Sequence, residues 1–287
     1  MLRTLAFSLA VLASASALAG TDCPQHFAAG RPPVVTNPKL QPRTQEICFG
    51  AFAVLHSGLT RTPLYAAEYL TRQNVRNAGK LSRKDSYHAE EALPEGERAE
   101  LSDYERSGYD RGHMAPNGDF ATRKAQAESF SLANMVPQAH ESNAGVWAGI
   151  ESATRRLAAR EGELYVLTGP AFIGANLKKA GNVLVPTHVW KVVFSPARQQ
   201  AGAYLITNDD TRAYAVVSVS RLEKMVGIRL LPGLPQHVRD AGMALPKPIP
   251  RPGRNNSGWP EAEFILRDVA RLAIDAIYRA SRKHETP

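Results

Sequence analysis

Residues Asp110-Arg111-Gly112-His113 place a carboxylate, a guanidinium, a flexible hinge and an imidazole side by side. An imidazole can take a proton from water near neutral pH, and a guanidinium grips phosphate oxygens with its fork of donors. A glycine between them lets the backbone bring both to one point. The set suits phosphodiester cleavage, although a solvated turn uses the same residues, so the case rests on what the chain places beside it. Further along, Asn143, Trp147, Glu151 and Arg155 recur at every fourth position. On an α-helix each is turned only about 40° from the last, so they project along one slanted ridge. Singly they read as a cap, a core residue and an exposed ion pair. Together, an amide oxygen and a carboxylate near one helix end can hold a hard cation such as Mg²⁺ with its waters.

The elements that must position these groups follow from periodicity. From Asn143 to Arg160 the apolar residues Val146, Ile150 and Leu157 recur near a period of about 3.6, which predicts a helix with Asn143 at its N-terminus. Strands are predicted at Phe49–Leu55 and Leu64–Leu70, around Ser57-Gly58. More follow at Leu164–Thr168, Val183–Phe194, Tyr204–Thr207 and Tyr214–Val219, all rich in β-branched and aromatic residues. Residues 73–108 are polar and charged and read as a long surface loop. Ser220 and Glu223 form a candidate capping box for a short helix that Gly227 can stop.

The ends read differently. Met1 to Ala19 carries one early cation, Arg3, then an apolar run and small residues ending Ala17-Leu18-Ala19, the pattern of an export signal. The run falls short of the roughly 20 residues of a membrane-spanning helix. Export favours a disulfide between Cys23 and Cys48, the chain's two cysteines. Residues 20–46, with five prolines after Cys23, read as an extended arm, followed by a domain over 47–240. Residues 241–287 comprise a proline-rich linker and an amphipathic helix marked by Phe264, Val269, Leu272, Ala276 and Ile277. The net charge of +8 loses only Arg3 with the signal, and the pI near 9.6 points to a polyanionic partner.

At this point the residues carry a family resemblance. The heptapeptide Asp110 to Pro116, then Asn134-Met135-Val136-Pro137-Gln138, then Asn143 through Trp147 to Glu151, resembles the DNA/RNA non-specific endonucleases. The likeness continues through Thr168-Gly169-Pro170, Pro186-Thr187-His188, Trp190-Lys191, Leu222-Glu223 and Gly227, covering roughly residues 47–232. It implies an α+β, ββα-metal (His-Me finger) fold with a central antiparallel sheet flanked by helices. It also implies hydrolysis of DNA and RNA to 5′-phosphorylated products with Mg²⁺, for which Mn²⁺ can substitute, and is compatible with a homodimer. Residue by residue, it implies His113 as general base and Asn143 as metal ligand, with Glu151 holding metal-bound water. Arg111 and Arg155 would engage phosphate, Asn134 would support the site, and Asp110 would fix the turn. The family's upstream arginine best matches Arg83, followed by Tyr87, with Arg72, Arg76 and Arg98 as competitors. An imidazole at its reference pKa would let activity fall below about pH 6. Two other readings stand beside this one: a nucleic-acid binder without catalysis, which would not need His113, Asn143 and Glu151 together, and a zinc phosphoesterase using His113 with His140 or His188.

Overall fold

The computed structural model describes residues 20–249 and Glu261. The predicted export signal, the C-terminal helix and most of the proline-rich linker lie outside the described residues. In chain order the main elements are β1 (Thr44–Cys48), β2 (Phe52–Ser57), β3 (Thr62–Thr71), α1 (Arg72–Ala78), β4 (Asp110–His113), α2 (Arg123–Glu128) and β5 (Met135–Gln138). They continue with α3 (Ala148–Glu161), β6 (Glu163–Ala171), β7 (His188–Ser195), β8 (Gln200–Thr207), β9 (Ala215–Val217), α4 (Val219–Val226) and α5 (Gln236–Ala241).

Seven strands form one antiparallel sheet in the order β1-β2-β3-β6-β7-β8-β9. This is a meander with one long insertion, between β3 and β6, and a short ribbon at residues 179–184 between β6 and β7. The interrupting segment, residues 72–162, leaves β3 after Thr71 and returns to β6 at Glu163, and those two residues face each other across the ladder. Within it β4 and β5 pair antiparallel as a separate ribbon, and α3 follows, which makes the ββα unit.

Both faces of the sheet are covered, so its inner strands are buried on both sides and read as continuous apolar runs rather than alternating ones. All eight residues of β7 are buried, with Val189 and Val193 on the face under α3. Trp190, Val192 and Phe194 belong to the opposite face, under Phe27 and α4. Phe27 is held there because Cys23 is disulfide-bonded to Cys48 at the end of β1, as the sequence led one to expect. A closed loop of this size stabilises the folded chain by about 3 kcal/mol. No helix among the described residues is long and apolar enough to cross a membrane.

Several boundaries differ from the expectations. The start of the polar stretch 73–108 is helical, because Thr71 caps α1 by accepting from the Asn74 N–H at 3.1 Å, and Leu101–Tyr104 adds one more turn. The predicted strand Val183–Phe194 is broken at Pro186, which cannot donate to a ladder. Val183–Leu184 pairs with Lys179–Ala180, and β7 begins at His188. The cap of α4 is Ser218, accepting from Arg221 N–H at 3.3 Å, rather than Ser220. Glu223 instead accepts from the Leu230 N–H and from Arg239, both at 2.9 Å. Gly227 ends α4 in the left-handed region, φ 68°, as expected.

Candidate active site

The β4–β5 ribbon is set by one close packing contact. A Cβ at Gly112 would collide with the Gln138 side chain, coming within 2.7 Å of its Cβ. Only glycine therefore lets the two strands approach at that level, and the glycine of the first motif and the glutamine of the second are one structural unit. We expect Gly112→Ala to lower stability by about 1–3 kcal/mol in urea unfolding. An unchanged midpoint would show that Gln138 can swing aside.

His113 ends β4, opposite Met135. The chain after it is pinned by Asn134, whose Oδ1 accepts from Ala115 N–H at 2.9 Å while its Nδ2 donates to Ala115 O at 2.8 Å and Ser129 O at 2.9 Å. Asn134 is fully buried and stands behind the site rather than in it. The imidazole of His113 meets the Phe130 ring edge-on at 5.0 Å and lies 6.0 Å from the Tyr87 ring. Only 7% of the residue is exposed, and its Nε2 has no hydrogen-bond partner among the described residues. Burial, then the nearby Arg83 charge, push its pKa from 6.5 to about 3, against an opposing pull from Asp85.

A cavity of about 520 Å³ opens in front of this ring. Arg83, Tyr87, Arg111, His113, Asn143, Glu151 and Arg155 all line it, so seven of the residues singled out in the sequence meet there. Of the four candidate upstream arginines, Arg83 is the one in the lining. Arg72 donates instead to Ala159 O and Arg160 O, and Arg98 pairs with Glu100. Arg83 pairs with Asp85 at 2.6 Å and donates to the Tyr87 hydroxyl at 3.0 Å. Arg111 stacks 4.5 Å above the same tyrosine ring. Tyr87 thus orients two guanidinium groups with one side chain.

The third guanidinium belongs to Arg155, fixed at 2.7 Å by Asp119, whose own side chain is 2% exposed. Asp119 was invisible as a partner in the sequence, since nothing but the fold brings the turn at 117–119 onto α3. Beneath this pair lies Glu68, a fully buried carboxyl on β3. Burial, and after it the neighbouring Asp119 charge, raise it well above the usual carboxylate range, although Lys191 pulls the other way. Its one sequence signal is an acid in the middle of the apolar run of β3.

The expected ridge along α3 is interrupted. Ser142–Trp147 forms a wide turn broken at Gly145 (φ −98°, ψ −110°), and the regular helix starts at Ala148. Trp147 is fully buried and sits under the Lys191 ammonium at 5.4 Å, while Asn143, Glu151 and Arg155 line the cavity. Asn143 Nδ2 donates to Asp110 Oδ2 at 2.9 Å, and His140 Nδ1 meets the same oxygen at 2.9 Å. Asp110 therefore ties the start of β4 to the segment that carries Asn143. That segment is also held by Asn208, which accepts from Ala139 N–H at 2.8 Å and donates to Pro137 O at 3.0 Å. The other histidine weighed for zinc, His188, sits on β7 with its Nδ1 3.0 Å from Thr187 Oγ1.

With its amide nitrogen donating to a carboxylate, Asn143 keeps its amide oxygen as its acceptor, and Glu151 supplies a carboxylate to the same cavity. An all-oxygen set fits a hard cation such as Mg²⁺ or Mn²⁺ and contrasts with the nitrogen and sulfur ligands that zinc prefers.

Comparisons with known proteins agree with this fold. A nuclease of Nostoc sp. is 32% identical over 233 residues, spanning 75% of this chain and 83% of that protein. Nuclease C1 of Cunninghamella echinulata is 33% identical over 199 residues, 62% of this chain and 79% of the relative. Among solved structures, the EndoG/EndoGI complex matches with a TM-score of 0.62 at 25% identity, covering 67% of this chain and 88% of that one. The sequence pattern of the DNA/RNA non-specific endonucleases matches residues 33–237, from the last part of the arm through the start of α5. A ββα unit inserted into an antiparallel sheet, the buried imidazole and that match together make this chain a member of the DNA/RNA non-specific endonuclease family.

Proposed function

We propose that the chain is an exported, Mg²⁺-dependent endonuclease that hydrolyses DNA and RNA without regard to sugar or base, leaving 5′-phosphates. The observation that carries this reading is the buried imidazole of His113, its Nε2 without a hydrogen-bond partner among the described residues, facing a cavity with three arginines and an oxygen donor pair. Asn143 would hold the cation directly and Glu151 through water. Bound there, Mg²⁺ supplies positive charge for the scissile phosphate and its leaving oxygen.

The protein's own groups perform the rest. Neutral His113 accepts the proton of the attacking water through a ring nitrogen. Arg83, Arg111 and Arg155 hold the phosphate oxygens in fixed forks, and Tyr87 and Asp119 keep those forks aimed. Contacts of this kind read phosphate and not base, which accounts for an absence of sequence preference. Export is supported by the N-terminal signal pattern and the disulfide.

The test is an assay of the purified protein on double-stranded DNA, single-stranded DNA and RNA, with Mg²⁺ and with chelator. Cleavage of all three that chelator abolishes is the expected result. Gel-shifted but uncut substrates would move the reading to a non-catalytic binder.

The pH profile is expected to differ from the one an ordinary imidazole gives. Because the His113 pKa is lowered to about 3, the neutral base persists well below pH 6, and the acid limb expected from a reference histidine moves downward. The rate at saturating Mg²⁺ should hold nearly level from pH 7 through pH 5.5. A clear half-loss near pH 6.5 would show that His113 titrates as it does in water. Stability follows the same sign. The native state refuses a proton that the unfolded chain accepts, so stability present above about pH 6.5 is lost progressively as pH falls towards 3.

A further inference from the structure

We propose that His140 is a positioning residue for the cation site, acting through Asp110 on the amide of Asn143. The inference rests on the reading above that Asn143 offers its oxygen to the cation.

Asp110 Oδ2 takes two hydrogen bonds at 2.9 Å, one from His140 Nδ1 and one from Asn143 Nδ2. An ionised carboxylate only accepts, so both partners must donate, which fixes the imidazole proton on Nδ1 and the amide with its nitrogen towards Asp110. The amide oxygen is thereby turned away from Asp110. If the amide rotated by half a turn, it would present an NH₂ group to the cation and set an oxygen against a carboxylate. Asp110 opposes that rotation only as far as its own carboxylate is held, and the hold comes from His140.

The backbone alone does not set the rotation of the amide. Asn143 N–H donates to Ala139 O at 2.8 Å, but the wide turn Ser142–Trp147 is broken at Gly145, so Asn143 is not carried by the regular helix that begins at Ala148. His140 is well placed to serve. Its side chain is 62% exposed, where a histidine ordinarily moves freely in water, yet the residues on either side are anchored. Ala139 N–H donates to Asn208 at 2.8 Å, and Glu141 pairs with Arg212 at 2.7 Å. Between these two anchors the imidazole reaches back to Asp110. In a metal site, the group standing behind a ligand fixes that ligand's orientation, and its loss weakens metal affinity by about 10-fold or more.

The experiment uses Mn²⁺ alone as the probe, titrated into the mature chain and followed by the electron paramagnetic resonance signal of the free ion. Four proteins are compared: wild type, His140→Ala, His140→Asn and Asn143→Ala. Thermal midpoints without metal identify any variant that is misfolded. The expected result is a site in wild type that Asn143→Ala abolishes and His140→Ala weakens by about 10-fold. His140→Asn should restore affinity, because an asparagine Nδ2 can occupy the place of the histidine Nδ1. Wild-type affinity in His140→Ala would overturn the proposal while leaving the cation at Asn143. Equal weakening in His140→Ala and His140→Asn would overturn it too, since the donated hydrogen bond would then not be the cause. Unchanged binding in Asn143→Ala would instead remove the reading on which it stands.

Discussion

His113→Ala is expected to lower cleavage by about 10²–10⁴-fold, the range a positioned general base contributes, while DNA and RNA still bind. The three arginines proposed to engage phosphate are held by groups other than His113. Arg155 is held by Asp119, Arg83 by Asp85 and Tyr87, and Arg111 by stacking on Tyr87. The fold should survive, because the substitution removes a buried nitrogen that has no protein partner, which offsets part of the packing lost against Phe130. Single-turnover cleavage and filter binding on the same preparation separate the two effects. A loss of binding as large as the loss of rate would mean that the imidazole holds substrate and does not move a proton.

Asn143→Ala should act through the cation, with cleavage at limiting Mg²⁺ reduced by about 100-fold or more. A more telling variant is Asn143→Asp. Its added charge would strengthen a simple electrostatic hold on a cation, yet the side chain can no longer donate to Asp110, and two carboxylates would face each other where one hydrogen bond stood. Asn143→Asp is therefore expected to remain well below wild type across a Mg²⁺ titration. A wild-type Mg²⁺ midpoint in Asn143→Ala would exclude Asn143 as the ligand, and one in Asn143→Asp would show that its hydrogen bond to Asp110 is dispensable.

The chemistry-bearing side chains were legible because their types and order along the chain are specific. His113, Asn143, Glu151, Arg111 and Arg155 stand out by type and order alone, and they line one cavity. The sheet was legible in its β-branched runs, although Pro186 was not read as a break. What sequence could not supply was pairing between residues far apart. Asp119 behind Arg155 and Asn208 behind Ala139 are ordinary polar residues until the fold brings them together. Glu68 is hidden for the same reason, its surroundings being supplied by other strands and by α3. Arg83 could be preferred to Arg72, Arg76 and Arg98 by likeness alone, and only geometry separates them. Trp147 departs from the ridge because it is fully buried beneath the Lys191 ammonium, while Asn143 reaches the cavity from the wide turn that Gly145 breaks.

The facing of Thr71 and Glu163 bears on how the chain folds. On one side of that joint, β1, β2 and β3 are successive hairpins; on the other, β6, β7 and β8 are likewise neighbours in sequence. Each half can assemble through short-range contacts. The β3–β6 pairing that unites them requires residues 72–162 to bring their ends together, an entropic cost of about 4 kcal/mol by the logarithmic scaling of loop closure. Contacts so distant in sequence are slow to form. The two half-sheets should therefore gain amide protection early in pulsed hydrogen exchange and the Thr71–Glu163 seam late; simultaneous protection would show that they do not form first. Cleavage competence would appear only with the seam, because the cavity is built by the segment whose closure completes the sheet.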